Sequence, residues 1–573
     1  MKRISIIFSL FILFIWSVSA QSPAKYWVEF TDKKGSEYSV DRPEEFLSPR
    51  AIQNRATYKI AVTEEDLPVN RHYIETLLDL DTGMILFTRS RWLNGVTVYC
   101  EKEDILGMIE GLPFVKRCEK TILMKEPEYR VRNGYYFMNS LEPKFIQPLP
   151  FTDSDYGKAE SQVRLNNIHW LHRMGYKGEG IPMMVMDGGF FNVDTLRYFS
   201  ELRADNRLRG IRNFVEPGVS VFRKENHGTM VLSCIASDIP GELVGTAPHV
   251  MVYLAKTEDG RSETKVEEDN WVAGIEWADS LGCLVLNSSL GYTKFDDTVA
   301  QPRHYRDLNG KTSRASIAAS MASARGMIVC NSAGNEGRGK WKHIGSPADA
   351  KDILAVGAVD ISGKKADFSS FGPTADGRVK PDACAVGKDT YVGSQRSITL
   401  RANGTSFASP LLAGMVACLR QAFPERSNYD IMNAVRMSGS QALQPDSALG
   451  YGITDFMKAY NLLLQPVDEK GFSVEFDTYA TDKEHILLTV KSDRPQEIRI
   501  TLTARRQGII AERNHTLTSG TQEIELEIPK LKKKIPYDIW DVKITGTYTG
   551  ERAFVIGAEQ PSDSSKENKR KKK

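Results

Sequence analysis

Apolar residues follow three different patterns along the chain, and the first of them covers about 100 residues near the amino end. Strand-like apolar runs occupy 26–30, 96–100 and 114–118, and helix-like stretches occupy 73–80 and 102–110. Short strands mixed with short helices predict a small α+β domain, which we place at 21–125.

Between 161 and 465 the pattern changes to buried strands alternating with helix-like stretches. The apolar runs lie at 181–186, 250–254, 284–286, 327–330 and 353–356. Such runs predict a parallel sheet covered by helices on both faces, an α/β core. Over 466–560 the period becomes two, as at Ile498, Ile500 and Leu502, which predicts an antiparallel β module.

The segments between and outside these domains have different compositions. Residues 126–160 are polar and carry prolines at 143, 148 and 150, which predicts an exposed connector. The last residues, 561–573, are rich in lysine and predict a disordered basic tail.

Composition excludes several classes of protein. Hydrophobic residues make up 41% of the 573 residues and charged residues 26%, so collagen-like, disordered and disulfide-scaffold proteins are disfavoured. The net charge is +2, and it becomes −5 once residues 1–20 and the basic end from 566 are set aside; a nucleic-acid groove is therefore not predicted. Seven scattered cysteines without a CxxC pair indicate neither a zinc site nor a disulfide framework.

Residues 1–20 predict a signal peptide that directs export. Lys2 and Arg3 precede an apolar run over 4–16, and Val18-Ser19-Ala20 supplies the small residues that precede cleavage. The run is shorter than the ~20 residues that span a membrane. We therefore expect a protein without a transmembrane anchor that is secreted, periplasmic or on the cell surface.

Three short motifs place reactive side chains where strands end or helices begin. Asp187 follows an apolar strand and precedes Gly-Gly, His227 lies in Asn-His-Gly-Thr, and Ser406 lies in Asn-Gly-Thr-Ser-Phe-Ala-Ser-Pro. Taken alone, each has an ordinary structural explanation: a turn aspartate, a helix-entry histidine and a helix N-cap. A serine also needs a neighbouring base before it can act as a nucleophile.

Taken together, the motifs resemble those of the subtilisin-like serine proteases, the subtilases. The chain order Asp187, His227, Ser406 with gaps of 40 and 179 residues suits that family and differs from the order in chymotrypsin-like enzymes and α/β-hydrolases. The resemblance implies a subtilisin-like parallel sheet over 161–465. Gly188 stands where many members have Thr or Ser, so one local hydrogen bond of Asp187 is expected to be missing.

The resemblance also assigns residues around the nucleophile. Asn335, in Asn-Ser-Ala-Gly-Asn-Glu-Gly, is similar to the family's oxyanion-hole amide, a preplaced donor for the negative oxygen of the tetrahedral intermediate. Ser289, Leu290 and Gly291 resemble the end of the strand whose free edge pairs with substrate. By the same similarity, 253–256 is expected to form the opposite edge.

The implied function is an exported serine endopeptidase that hydrolyses protein and peptide substrates through an Asp-His-Ser triad and an acyl-enzyme. The position of 21–125 resembles a propeptide of exported Bacteroidetes-type subtilases, and it implies an intramolecular inhibitor and chaperone. The chemistry needs no cofactor. Calcium is common in the family, but the chain has no EF-hand-like loop, so no metal ligand is assigned.

Two alternatives stay open at this stage. The first is an exported binding protein on a subtilase scaffold whose triad is too poorly aligned to work. The second is an acyl-transfer enzyme that shares the nucleophile but passes the acyl group to an acceptor other than water.

Overall fold

The computed structural model describes residues 23–102, 104–123, 136–145, 152–296, 302–464, 473–475, 485–492, 495–505, 508–527, 538–545 and 549–556. The predicted signal peptide over 1–20 and the basic tail over 561–573 lie outside the described residues. The described residues form an α+β domain, a parallel sheet flanked by helices and an antiparallel module, so the predicted fold class is confirmed.

The amino-terminal domain is a four-stranded antiparallel sheet with two of its helices on one face. Its elements are β1 (Ala24–Phe30), α1 (Pro49–Thr57), α2 (Arg71–Leu78), β2 (Ile85–Ser90), β3 (Gly95–Cys100), α3 (Ile105–Glu110) and β4 (Val115–Leu123). The strand order is β2-β3-β1-β4. The apolar sides of α2 and α3 pack against this sheet through Ile74, Leu77, Ile105 and Ile109. The opposite face of the sheet contacts the central domain, as described below.

The central domain contains nine α-helices and twelve strands among the described residues. They are β5 (Tyr136–Met138), α4 (Glu160–Arg164), α5 (Ile168–Arg173), β6 (Pro182–Asp187), α6 (Ser200–Ala204), β7 (Leu208–Asn213), α7 (His227–Ala236), β8 (Asp238–Ile239), β9 (Leu243–Val244), β10 (Met251–Lys256), α8 (Val266–Ser280), β11 (Val285–Ser288), α9 (Arg314–Ala324), β12 (Ile328–Ser332), β13 (Leu354–Val359), β14 (Ala383–Val386), β15 (Thr390–Gly393), β16 (Thr399–Ala402), α10 (Thr405–Ala422), α11 (Asn428–Met437) and α12 (Phe456–Leu464).

Eight of these strands form the main sheet, in the order β14-β13-β12-β11-β6-β10-β7-β5. All pairs are parallel except β5 with β7. Because successive side chains of a strand point to opposite faces, Met183 and Val185 join the core beneath α7 and α10, whereas Met184 and Met186 join the core beneath α8 and α9. Both faces are thus buried, as the continuous apolar runs predict.

The exposed connector predicted over 126–160 is wrong in two places. Residues 136–138 add an antiparallel edge strand to the main sheet, and Tyr156 and Ala159 are fully buried in the central core. Polar composition hid both features, because an edge strand and a single buried turn need few apolar residues. The rest of the connector, except 139–145 and the turn from 152, lies outside the described residues.

The carboxyl-terminal module is entirely antiparallel. Its strands are β17 (Ser473–Glu475), β18 (His485–Ser492), β19 (Gln496–Ala504), β20 (Gly508–Leu517), β21 (Gly520–Glu527), β22 (Asp538–Thr545) and β23 (Thr549–Ile556). They form sheets β17-β18-β21 and β20-β19-β22-β23. Asn461 of α12 joins the module to the central domain by two hydrogen bonds of 2.9 Å with the backbone of Ala553. Among the described helices, none is long and apolar enough to cross a membrane.

Candidate active site

The candidate site lies at the carboxyl ends of β6 and β11, two neighbouring parallel strands. Along the chain, β7 and β10 are added on one side of β6. The next strand, β11, follows α8 and lies on the other side of β6. The strand order therefore reverses between β6 and β11, which is where open parallel sheets form a crevice for ligands. Asp187 is the last residue of β6 and Ser288 the last of β11.

Asp187 and His227 are joined by a hydrogen bond. The imidazole Nδ1 of His227 donates to Asp187 at 2.8 Å from Oδ1 and 3.0 Å from Oδ2, and Asp187 is fully buried. Gly188 N–H also donates to Asp187 Oδ1 at 2.8 Å. A backbone donor thus occupies an oxygen of Asp187 although Gly188 has no hydroxyl.

The close approach of His227 to β6 depends on Gly228. A side-chain carbon at Gly228 would lie 2.5 Å from Gly189 O and 2.8 Å from Asp187 Cβ. No other residue type fits there without moving the strand. The first turn of α7 is thereby held against the end of β6, which fixes the imidazole beside the carboxylate.

The pKa of His227 is raised above its usual value. Burial lowers this pKa, but the charge and hydrogen bond of Asp187 raise it by more, and the carboxylate of Glu225 adds to the effect. Asp187 therefore favours the imidazolium form, as a group that stabilises a transient positive charge on histidine must do.

Ser406 is the second residue of the 18-residue helix α10. Its Oγ lies 3.5 Å from Ser289 O, and Ser289 Oγ donates to Ser406 O at 2.9 Å. The ring of Phe407, the next residue, lies 5.9 Å from the His227 ring between centroids. The start of α10 and the start of α7 therefore meet at one place.

The Oγ of Ser406 is directed to Ser289 rather than to His227. Among the described residues, Ser289 O is the hydrogen-bond acceptor of Ser406 Oγ, and no hydrogen bond joins Ser406 to His227. Free enzymes often show long or misaligned hydrogen bonds that tighten once substrate is bound.

Asn335 is bonded through its side-chain oxygen to the first residue of α10. Its Oδ1 accepts the backbone N–H of Thr405 at 2.9 Å and the Thr405 hydroxyl at 3.0 Å. Because both partners donate, the oxygen must lie on the Thr405 side and Nδ2 on the other. A side-chain carbon at Gly404 would lie 3.7 Å from Asn335 Nδ2 and 3.6 Å from Ser406 N. The absence of a side chain at Gly404 leaves a space that has these two donors at its border.

The predicted substrate-binding residues leave the sheet directly after β11. Ser289 is buried and is hydrogen-bonded to Ser406. Leu290 O accepts a hydrogen bond of 3.1 Å from Asn331 Nδ2. Gly291 is exposed. Residues 285–288 themselves pair with both β12 and β6, so among the described residues the segment that continues β11 beyond these pairings begins at Ser289. The opposite edge predicted at 253–256 is wrong, because β10 is paired on both sides, with β6 and β7.

A cluster of carboxyl groups follows β10 beside the site. One oxygen each of Glu258, Glu263 and Glu267 lies within 4.8 Å of the others. Burial, followed by repulsion from Glu267, raises the pKa of Glu258 strongly, and burial, followed by repulsion from Glu263, raises the pKa of Glu267 to about 9. Burial, followed by repulsion from Asp296 and Glu268, raises the pKa of Glu263 to about 7. Three oxygen ligands suit calcium, but Glu258 is bonded to the Tyr292 hydroxyl at 2.6 Å.

Glu267 is also occupied, so the cluster fits a metal poorly. Its carboxylate accepts the backbone N–H of Asp259 at 2.9 Å and of Thr264 at 2.7 Å. Two of the three carboxyl groups are thus already engaged with hydrogen-bond donors of the protein. We assign no ion to the cluster.

Two residues of the site escaped the sequence analysis. They are Thr405, which orients Asn335, and Glu225, which raises the pKa of His227. Glu225 stands two residues before His227, so the sequence contained a signal for it. The role of Thr405 depends on a contact between segments 70 residues apart and has no local signal.

Comparison with known proteins identifies two segments of the chain. Residues 172–452 match the subtilase family, peptidase S8, and residues 25–132 match the peptidase S8 propeptide domain of Bacteroidota. The first segment contains Asp187, His227, Asn335 and Ser406. The match at 25–132 coincides with the amino-terminal α+β domain.

Several bacterial proteases are similar to this chain. A thermostable alkaline protease of Halalkalibacterium halodurans is 27% identical over 50% of this chain and 69% of its own length. Alkaline elastase YaB of Bacillus sp. is 30% identical over 46% of this chain and 60% of its own length. Subtilisin Savinase of Lederbergia lenta is 29% identical over 50% of this chain and 92% of its own length. The similarity covers about half of the chain in each case.

Proposed function

The chain belongs to the subtilase family through residues 172–452, and from this premise we propose that it is an exported serine endopeptidase with Asp187, His227 and Ser406 as its catalytic triad. The observation that carries the proposal is the hydrogen bond of 2.8 Å between the buried Asp187 and His227 Nδ1. It leaves Nε2 of the ring free of that bond, and the ring lies beside Phe407 at the start of α10.

In the proposed mechanism His227 is the general base. It removes the proton from Ser406 Oγ as this oxygen attacks the carbonyl carbon of the peptide bond, and it then donates the proton to the leaving amine. Asp187 orients the ring and stabilises its charged form. Water releases the acyl group from Ser406 in a second, equivalent half-reaction.

The negative oxygen of each tetrahedral intermediate is stabilised by two donors. Asn335 Nδ2 and Ser406 N border the space next to Gly404, and Thr405 holds the amide of Asn335 in that orientation. A donor placed in this way acts on charge that develops only in the transition state, so it raises kcat. Ser289, Leu290 and Gly291 would bind the substrate backbone beside it.

The amino-terminal domain is proposed to act as an intramolecular inhibitor until the connector after it is cut. It docks on α8 and α9 through hydrogen-bonded pairs: Thr97 with Asp269 at 3.0 Å and Arg314 with Glu119 at 2.9 Å. Ser90 also donates to the buried Glu276 at 2.5 Å. A full-length chain that never shortens and yet is fully active would contradict this role.

The proposal is tested by comparing the wild-type protein with Ser406→Ala. Casein hydrolysis should be lost in the variant, whereas its thermal melting should match that of the wild type, because the hydroxyl makes one long hydrogen bond, 3.5 Å, to Ser289 O. Equal hydrolysis by the two proteins would reject the assignment of Ser406.

A further inference from the structure

A polar cleft lies between the amino-terminal domain and the central domain. Its volume is about 390 Å³, and its walls come from β2, β7 and α8. The residues that decide its chemistry are Thr88, Arg89, Arg91, Arg212, Phe214 and Glu276. None of the proposed catalytic residues lines it, so the cleft is separate from the active site.

Positive side chains dominate the cleft. The side chain of Arg89, an exposed residue, makes no hydrogen bond or ion pair with the described residues, and the exposed Arg212 stacks its guanidinium 4.5 Å from the centre of the Phe214 ring. Arg91 pairs with Asp279 at 2.5 Å. Two of the three guanidinium groups thus stand on opposite walls, one on each domain.

The one carboxylate in the wall is already occupied. Glu276 accepts the Ser90 hydroxyl at 2.5 Å and the backbone N–H groups of Arg91 at 2.8 Å and Trp92 at 3.2 Å. These contacts hold Glu276 against the amino-terminal domain and engage both of its oxygens. Glu276 therefore repels a bound anion less than a carboxylate without hydrogen-bond donors would.

Two buried polar groups on the amino-terminal wall of the cleft make no hydrogen bond with the described residues. Thr88 is 4% exposed, and its hydroxyl makes no hydrogen bond with the described residues. The same holds for Nε of Arg91. Buried donors without acceptors are rare in native proteins, and here two of them lie in the wall that carries the exposed Arg89.

We propose that this cleft binds a phosphate group, which contacts Arg89 of the amino-terminal domain and Arg212 of the central domain at the same time. Guanidinium groups recognise carboxylate and phosphate oxygens alike. A phosphate is favoured because its tetrahedral oxygens reach donors on separate walls, whereas the two oxygens of a carboxylate lie in one plane. Its charge of nearly −2 also suits several arginines.

A ligand that contacts both domains also stabilises their association. Since the phosphate binds the docked arrangement and not the separated domains, its binding free energy opposes separation. If the amino-terminal domain is the inhibitor proposed above, phosphate delays activation. The binding itself does not depend on that function.

Binding is tested on the full chain with the Ser406→Ala substitution, which prevents self-cleavage under the proposed function. Inorganic phosphate is titrated by calorimetry against a chloride control of equal ionic strength. We expect saturable binding that Arg89→Gln and Arg212→Gln each weaken about tenfold, which corresponds to about 1.4 kcal/mol. The matched control is Arg117→Gln, which removes a half-exposed arginine of β4 paired with Glu29 and should leave the affinity unchanged.

Titration with glycerol 1-phosphate in parallel distinguishes the source of the phosphate group. Tighter binding of the ester identifies an organic phosphate as the ligand, and tighter binding of the free ion identifies inorganic phosphate; both support the site. The proposal is overturned if neither phosphate compound shows saturable binding. It is also overturned if the wild-type cleft and the Arg89→Gln variant bind phosphate with equal affinity.

Hydrogen exchange tests the link between the domains without any measurement of hydrolysis. Phosphate should slow exchange of the backbone amides in β2 and β7 in the Ser406→Ala chain, and Arg89→Gln should abolish this effect. Unchanged exchange in β2 at saturating phosphate would overturn the bridging role. Because neither readout uses proteolysis, a failure of the peptidase assignment stays distinguishable from a failure of this site.

Discussion

Thr405 holds Asn335 through two hydrogen bonds that end on the same amide oxygen, one from its backbone N–H at 2.9 Å and one from its hydroxyl at 3.0 Å. The residue before the candidate nucleophile thus decides which way the amide of Asn335 points. If Nδ2 is an oxyanion donor, its alignment depends on Thr405.

Asn335→Ala should lower kcat by about 10²–10³-fold, the usual loss on removal of an oxyanion donor, with little change in KM. Steady-state kinetics on a peptide anilide measures both constants. Thr405→Val, which keeps the backbone donor but removes the hydroxyl, should lower kcat by less than Asn335→Ala does. Asn514→Ala, an exposed residue of the carboxyl-terminal module, is the control; an unchanged kcat in Asn335→Ala would contradict the assignment.

The pH dependence of the reaction should depend on Glu225. A protonated His227 cannot accept a proton from Ser406, so kcat/KM should rise with pH as His227 loses its proton. Because Glu225 helps to raise the pKa of His227, Glu225→Gln should move this acid limb to lower pH. Glu201→Gln, at an exposed position, should leave it in place. A shift of the limb to higher pH in Glu225→Gln would contradict the electrostatic account.

Glu263 should make the folded protein less stable as pH rises. Burial raises its pKa from the ordinary 4.5 to about 7, so between these values the folded state binds more protons than the unfolded state. The free energy of unfolding therefore falls as pH increases across this window.

Replacing Glu263 with Gln removes that dependence. The melting temperature of Glu263→Gln should exceed that of the wild type at pH 8, and the difference should shrink at pH 4. Glu44→Gln, an exposed surface change, controls for loss of one negative charge. A difference that is constant across pH would show that Glu263 is not the titrating group.

The buried ion pairs of the domain interface should contribute more to stability than exposed ones. Arg55 is 4% exposed and lies 2.9 Å from Asp279, which also holds Arg91. Asp279→Ala leaves these two guanidinium groups buried without this partner, so we expect a loss of about 3–5 kcal/mol in the free energy of unfolding.

The matched control is an exposed pair of the same domain. Arg71 and Glu75 lie 2.8 Å apart with more than half of each side chain in water, so Glu75→Ala should cost less than about 1 kcal/mol. Denaturant unfolding of both variants in the Ser406→Ala chain compares them. Equal losses would contradict the role of the interface pairs.

Much of the fold was predictable because its strands are buried on both faces. All five predicted strands of the central domain are present within a few residues of the expected positions. β7 was missed because Arg209 and Arg212 interrupt its apolar pattern, and β14 because four small residues give little signal. The antiparallel module was predictable because its apolar residues recur with a period of two.

For the candidate site, the sequence predicts which residues take part better than it predicts which of them are in contact. The motifs around Asp187, His227, Asn335 and Ser406 are local, and the sequence displays them directly. The pairing of 253–256 was mispredicted because strand order is a long-range property that local pattern does not contain. The arginine cleft was invisible for the same reason, since Arg89 and Arg212 are 123 residues apart.

The most direct test of the account is covalent labelling of Ser406. The chain is treated with a fluorophosphonate after removal of its amino-terminal domain, and peptide mass spectrometry then locates the adduct. We predict one adduct per molecule, on Ser406, with labelling lost in Ser406→Ala and strongly slowed in His227→Ala. No adduct in the wild-type protein, or an equal rate of labelling in His227→Ala, would contradict the triad and favour a catalytically impaired scaffold.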